Sequence, residues 1–176
     1  MSWLGRLLKG ARPAPFEEFA ANLHEALVLD DGPSSDHESH IGFEELGIKL
    51  DDLRRFSEKR VMTLEAFLFV AASVATQPQK EGVTAFTMPH PLVVELSKLL
   101  KRKWAERGII VDTAGEVGEK CFDEVELALE RPFKWAREWL AEFYDDWDST
   151  GEHYIMWTDQ WLKEYETMRR VVEQHV

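Results

Sequence analysis

Cysteine occurs once in the 176-residue chain, at Cys121, so no disulfide can form within it. A lone thiol suits a reducing compartment, and a cytoplasmic setting is the expectation. No apolar run reaches the roughly 20 residues that a membrane-crossing helix needs. The longest, VMTLEAFLFVAASVAT from Val61 to Thr76, is interrupted by Glu65 and led in by the charged stretch Ser57 to Arg60. Phosphate-binding loops are missing as well. GxxxxGK[ST] does not occur, and Gly115-Glu-Val-Gly118 has neither the strand nor the third glycine of a dinucleotide site. There is no Gly-x-Ser-x-Gly elbow to present a nucleophilic serine. Basic charge is scarce, with 21 Lys and Arg against 33 Asp and Glu and a formal net charge of −12. Affinity for phosphate backbones comes mainly from Lys and Arg, so nucleic acid is not an expected partner.

What the chain has is an ordinary globular balance, 44% apolar and 31% charged. At this length one domain removes about 70% of its unfolded surface from water, without a staple. No internal repeat, low-complexity tract or dividing linker appears. Residues 1–176 therefore read as a single all-α domain, a helical bundle around a buried central helix at 61–76. Apolar side chains there point in every direction of a helical wheel, and such a helix must be covered all round.

The surrounding helices follow from periodicity and punctuation. Residues 1–14 form a basic amphipathic segment, with Trp3, Leu4, Leu7 and Leu8 opposite Arg6 and Lys9. That composition admits a weak peripheral contact with a membrane surface, though a segment so short buries little. Pro15 then starts a helix whose apolar stripe is Phe16, Phe19, Leu23, Ala26 and Leu27, ended by Asp30-Asp31-Gly32-Pro33. Residues 50–57 lead toward the central helix, and periodicity alone does not decide whether the two are continuous.

From Pro91 to Arg107 runs an amphipathic helix with Leu92, Val93, Leu96, Leu100 and Trp104 on one face, ended by Gly108. Thr113-Ala-Gly-Glu116 matches a capping box opening a helix with Val117, Cys121, Val125, Ala128 and Leu129 inward. After Arg131-Pro132, helices over 133–147 and 154–174 form a C-terminal hairpin, with five of the seven tryptophans between Trp135 and Trp161. Two β-favouring runs, 83–88 and 109–113, flank a helix and are a minor two-stranded element if they pair.

Candidate chemistry is sparse. His37 and His40 would share a metal if their segment made one helical turn, but zinc sites normally draw ligands from separate elements. Asp146-Trp-Asp148-Ser-Thr150-Gly151-Glu152 resembles a calcium loop in composition. Counted from Asp146, however, Trp157 stands where the bidentate carboxylate belongs, and counted from Asp148, His153 replaces the obligatory glycine. Cys121 lies on an apolar stripe, where a thiol stays protonated. His90, between two prolines, serves connector geometry. Neighbouring acids such as Glu17/Glu18, Glu44/Glu45, Asp51/Asp52 and Asp145/Asp146 point apart on a helix and make no acid/base pair. Glu65 is the carboxylate to watch: burial would raise its pKa unless a cation reached it, and facing solvent or pairing with a nearby Arg or Lys is the expectation. The basic face of Lys98, Lys101, Arg102 and Lys103 is expected to pair with the protein's own carboxylates, such as those of residues 138–161.

These observations favour a non-enzymatic interaction or regulatory protein, of the immunity-protein, inhibitor or adaptor type, that takes a basic protein partner. Its contact residues would be Asp30, Asp31, Asp36, Glu38, Glu44, Glu45, Asp145, Asp146, Asp148 and Glu152. The first alternative is a bundle enclosing a small apolar ligand between the tryptophan-rich hairpin and the central helix. The second is a metal-dependent protein using His37 and His40, or Asp146 and Asp148. No cofactor is indicated.

Overall fold

The computed structural model describes residues 16–29, 50–77, 88–131, 134 and 152–176. Among these, five α-helices pack against one another and no strand occurs. They are α1 (Phe16–His24), α2 (Leu50–Ala75), α3 (Pro91–Glu106), α4 (Ala114–Val125) and α5 (Glu152–Glu173). α1 and α4 each run on into a wide π turn, Glu25–Leu29 and Glu126–Glu130 respectively.

The all-α bundle expected from periodicity is the observed architecture. Its central helix is longer than the apolar run that announces it: α2 is continuous from Leu50, so the charged lead-in and the pillar are one element of 26 residues. From Thr63 to Ala72 every residue is buried, whichever way its side chain points. α3, α4, α5 and the π turn after α1 all pack on α2, while α1 packs mainly on α3. Each fully buried Leu or Phe contributes about 1.5–3 kcal/mol over its exposed state, so Leu64, Phe67 and Leu68 make α2 the main apolar asset.

Local chemistry sets the helix ends. His90 caps α3, its Nδ1 accepting the Leu92 amide at 3.3 Å, with Pro91 in the first turn where no donor is lost. Phe16 of α1 stacks edge-on against the His90 ring at 5.2 Å. At the far end, the Gly108 amide donates to the Ala105 carbonyl at 3.0 Å and the Ile109 amide to the Trp104 carbonyl at 2.8 Å. That pairing is a Schellman stop, and Gly108 sits at φ +81°, as the motif requires of its first residue past the helix. Thr113 caps α4 by accepting the Glu116 amide at 3.2 Å, while the Glu116 carboxylate reaches back to the Asp112 amide at 3.1 Å. The capping box read from sequence is thus present, its return arm extended by one residue.

Residues 109–113 are not a strand. Ile109 belongs to the stop of α3 and Thr113 to the start of α4, which leaves too little chain to pair, and Val111 is instead buried in the core. Residues 83–87, the other half of the expected pair, lie outside the described residues, as does the first arm of the C-terminal hairpin apart from Lys134.

Leu23 and Leu27 of the stripe expected on α1 are buried, and Phe19 is partly buried against the core. Ala20, Leu23, His24, Leu27 and Val28 face inward, while Phe16 is 42% exposed. On α3 and α4, Leu92, Leu96, Leu100, Trp104, Val117 and Cys121 are buried as expected and Ala128 follows in the π turn; Val93, Val125 and Leu129 are partly buried against the core, and Ser97 and Leu99 are added. Aromatic contacts of α5 are spent on α2: Trp161 and Tyr165 meet the Phe67 ring edge-on at 5.4 and 5.6 Å. Among the described residues, no helix is long and apolar enough to cross a membrane.

Candidate functional site

Three features of the described surface and core have chemical character: a buried carboxylate cluster, the cleft beside it, and the outer face of α4.

Glu65 is the third residue of the buried stretch of α2 and is 1% exposed. A carboxylate so placed needs donors. Two come from the end of α3, where Trp104 and the C-cap residue Arg107 are three residues apart and therefore on one side. The Trp104 indole N–H donates to Oε2 at 2.8 Å, and the Arg107 Nη2 guanidinium group donates to the same oxygen. The third is His24, on the inward stripe of α1, whose Nε2 lies 2.8 Å from Oε1. Against an ionised carboxylate this nitrogen carries the proton. Burial pushes the Glu65 pKa up, but the bonds from His24 and Arg107, the Arg107 charge and the Trp104 bond together outweigh it, so the carboxyl is held below its ordinary value. The expectation of an Arg or Lys partner is met by Arg107, yet in the core rather than at a solvated end.

Chemically, this is a histidine oriented by a carboxylate. Cys121, also near Glu65, supplies no nucleophile: burial, then the charges of Glu65 and Glu124, push its thiol far above the ordinary range.

On its outer side His24 lines an open cleft between α1 and α3 of about 530 Å³. Ala21, His24 and Glu25 form one wall and Leu99, Arg102 and Lys103 the other, with Leu29 at the end. Both triplets have the i, i+3, i+4 spacing of a helix face. The basic residues of α3 do use carboxylates, but those of their own helix: Lys98 bonds Glu95 at 2.7 Å and Lys103 lies 3.7 Å from Glu106. Lys101 donates to the Asp112 carbonyl. Arg102 has no ion pair among the described residues.

α4 and the π turn that follows it carry their acids outward. Glu119, Asp123, Glu126 and Glu130 recur every three or four residues opposite the buried Val117, Cys121 and Ala128. Glu126 pairs with Arg131. Glu119, Asp123 and Glu130 are exposed and have no ion pair among the described residues. Phe122, 46% exposed, stands beside them.

No family model matches this chain, and neither does any curated protein or solved structure.

Most residues singled out from sequence lie outside the described ones: Trp3, Leu4, Leu7, Leu8, Asp30, Asp31, Asp36, His37, Glu38, His40, Glu44, Glu45, Asp145, Asp146 and Asp148. Glu152 opens α5, with its side chain also outside them. Among the described residues, no three His, Cys, Asp or Glu side chains are grouped to hold a metal ion. Sequence reading missed three partners of Glu65, because His24, Trp104 and Arg107 are 41, 39 and 42 residues away from it. One signal was available: on the inward stripe of α1, His24 is a lone polar residue among apolar ones, and a buried imidazole needs a partner.

Proposed function

We propose that this is a non-enzymatic, acidic helical interaction protein that docks a basic protein partner, as an immunity protein, inhibitor or adaptor does. The observation that carries the reading is the outer face of α4 and its π turn, where Glu119, Asp123 and Glu130 are solvent-facing near the exposed ring of Phe122. An aromatic anchor beside a mainly acidic rim suits a basic partner, with the acids steering encounter and the ring supplying desolvated contact. The net charge of −12 adds a long-range field of the same sign.

The test is affinity capture on the full chain from the native lysate, in parallel with a Glu119→Lys/Asp123→Lys/Glu130→Lys variant. A basic protein held at low salt, released at high salt and lost on the variant supports this reading. Identical sets of retained proteins on both baits refute it. These positions are exposed, so the variant is expected to keep its fold, which circular dichroism checks.

A further inference from the structure

We propose that the cleft between α1 and α3 is a binding site for a small organic anion with an apolar body, a carboxylate or sulfonate on an alkyl or aryl group. Its volume of about 530 Å³ is in the range of small-molecule sites, roughly 300–1,000 Å³. Its lining divides into two chemistries. Ala21, Leu29 and Leu99 form an apolar surface, while Arg102 and Lys103 bring two cations to the α3 wall.

Two details set this surface apart from ordinary solvated helix faces. Leu99 lines the cleft while only 8% exposed, so the surrounding protein holds it and it presents a fixed apolar edge. Leu29, at the end of the cleft, is 53% exposed, which leaves a large apolar side chain open to a ligand's hydrocarbon.

The charge is reversed here relative to the rest of the molecule. Arg102 and Lys103 face a single lining acid, Glu25, on a chain whose net charge is −12. Lys103 shares its charge with the exposed Glu106 at 3.7 Å, a solvent-screened pair, and Arg102 has no ion pair among the described residues. A guanidinium presents a planar fork of donors that matches a carboxylate or sulfonate. His24 is held in place by Glu65, so this wall is preorganised. An uncharged apolar ligand would leave the cations unused, and a cationic one would be repelled. The site uses none of the acids on α4 and stands independently of the proposal above.

The experiment is titration of the full chain with decanoate at low ionic strength, followed by amide chemical shifts. Acetate and decyltrimethylammonium serve as the headgroup-only and charge-reversed comparisons. Saturable binding with a Kd on the order of 0.1–1 mM is expected for a ligand of this size in an open cleft. Shift changes should concentrate on residues 21–29 and 99–103. The Arg102→Ala/Lys103→Ala variant should bind decanoate at least tenfold more weakly while keeping the thermal midpoint of the parent, since both side chains are at the surface. Acetate and decyltrimethylammonium should each bind at least tenfold more weakly than decanoate. Absence of saturation at 10 mM (about ten times the expected Kd), undiminished affinity in the double variant, or equal binding of the cationic amphiphile would each overturn the proposal.

Discussion

Glu65 gathers three donors around one buried carboxylate. Its carboxylate is nearly solvent-free, and three side chains from two other helices donate to it. Removing one member of such a buried pair leaves the others unsatisfied, which matters more than the net worth of the pair itself. Glu65→Gln should therefore destabilise the protein by about 3 kcal/mol in chemical denaturation. The pH dependence follows from the direction of its shift. A carboxyl held below its ordinary value of 4.5 contributes stability that is complete above that pH and is lost as pH falls through the lower folded value. Acid titration of unfolding free energy should show this loss in the parent and a flatter profile in Glu65→Gln. Cys121 behaves in the opposite sense. Its buried, strongly disfavoured thiolate should make the native protein unreactive toward a thiol reagent at pH 8, with labelling appearing only on addition of denaturant.

At the level of elements, two glycines separate conformation from space. Gly108 is left-handed at φ +81° with nothing within 4 Å of an added Cβ, so Gly108→Ala is opposed by backbone strain alone and should cost about 1 kcal/mol. Because this turn ends the helix that carries Trp104 and Arg107, the loss should also appear as faster hydrogen exchange in that last turn. Gly118 is helical, and a Cβ there would meet the Phe69 ring at 3.6 Å, an ordinary contact. Gly118→Ala should therefore stabilise by about 0.5–1 kcal/mol, through the lower backbone entropy of the unfolded chain. Opposite signs at the two sites, read from thermal midpoints, are the expected outcome.

For the molecule as a whole, α2 is both apolar pillar and polar organiser. It has a polar link to each of the other described helices. Glu65 reaches His24 of α1 and Trp104 beside the end of α3; the Thr63 hydroxyl donates to Glu124 of α4 at 2.6 Å; and Arg60 lies 3.9 Å from Glu164 of α5. Apolar burial does not discriminate finely between neighbouring helix registers, whereas a buried polar group satisfied in only one register does. The molecule also repels itself, with a net charge of −12. Added salt screens exposed like charges more than the buried Glu65 cluster, so the thermal midpoint should rise between 10 and 300 mM sodium chloride, roughly Debye lengths of 30 Å and under 8 Å. A midpoint that falls over that interval would show that attractive surface pairs dominate instead.

Much of this architecture is a property of the sequence taken locally. The buried pillar, the stop at Gly108, the cap at Thr113 and the inward faces of α3 and α4 depend on residues within a few positions of one another, where periodicity and backbone preference act. On α1 the inward Ala20 and His24 were not legible, because a small or polar residue weighs little in a pattern beside Phe16 and Phe19. The surroundings of Glu65 were decided only by the tertiary structure. Whether a carboxylate in an apolar run is solvated, neutral or ionised depends on which donors reach it, and those come from helices about forty residues away in either direction. The same holds for the cleft: neither the α1 triplet nor the α3 triplet is a site until packing sets the two faces opposite each other. Local order is written in short spacings, but dielectric environment and enclosure are properties of the assembled helices, and no single segment contains them.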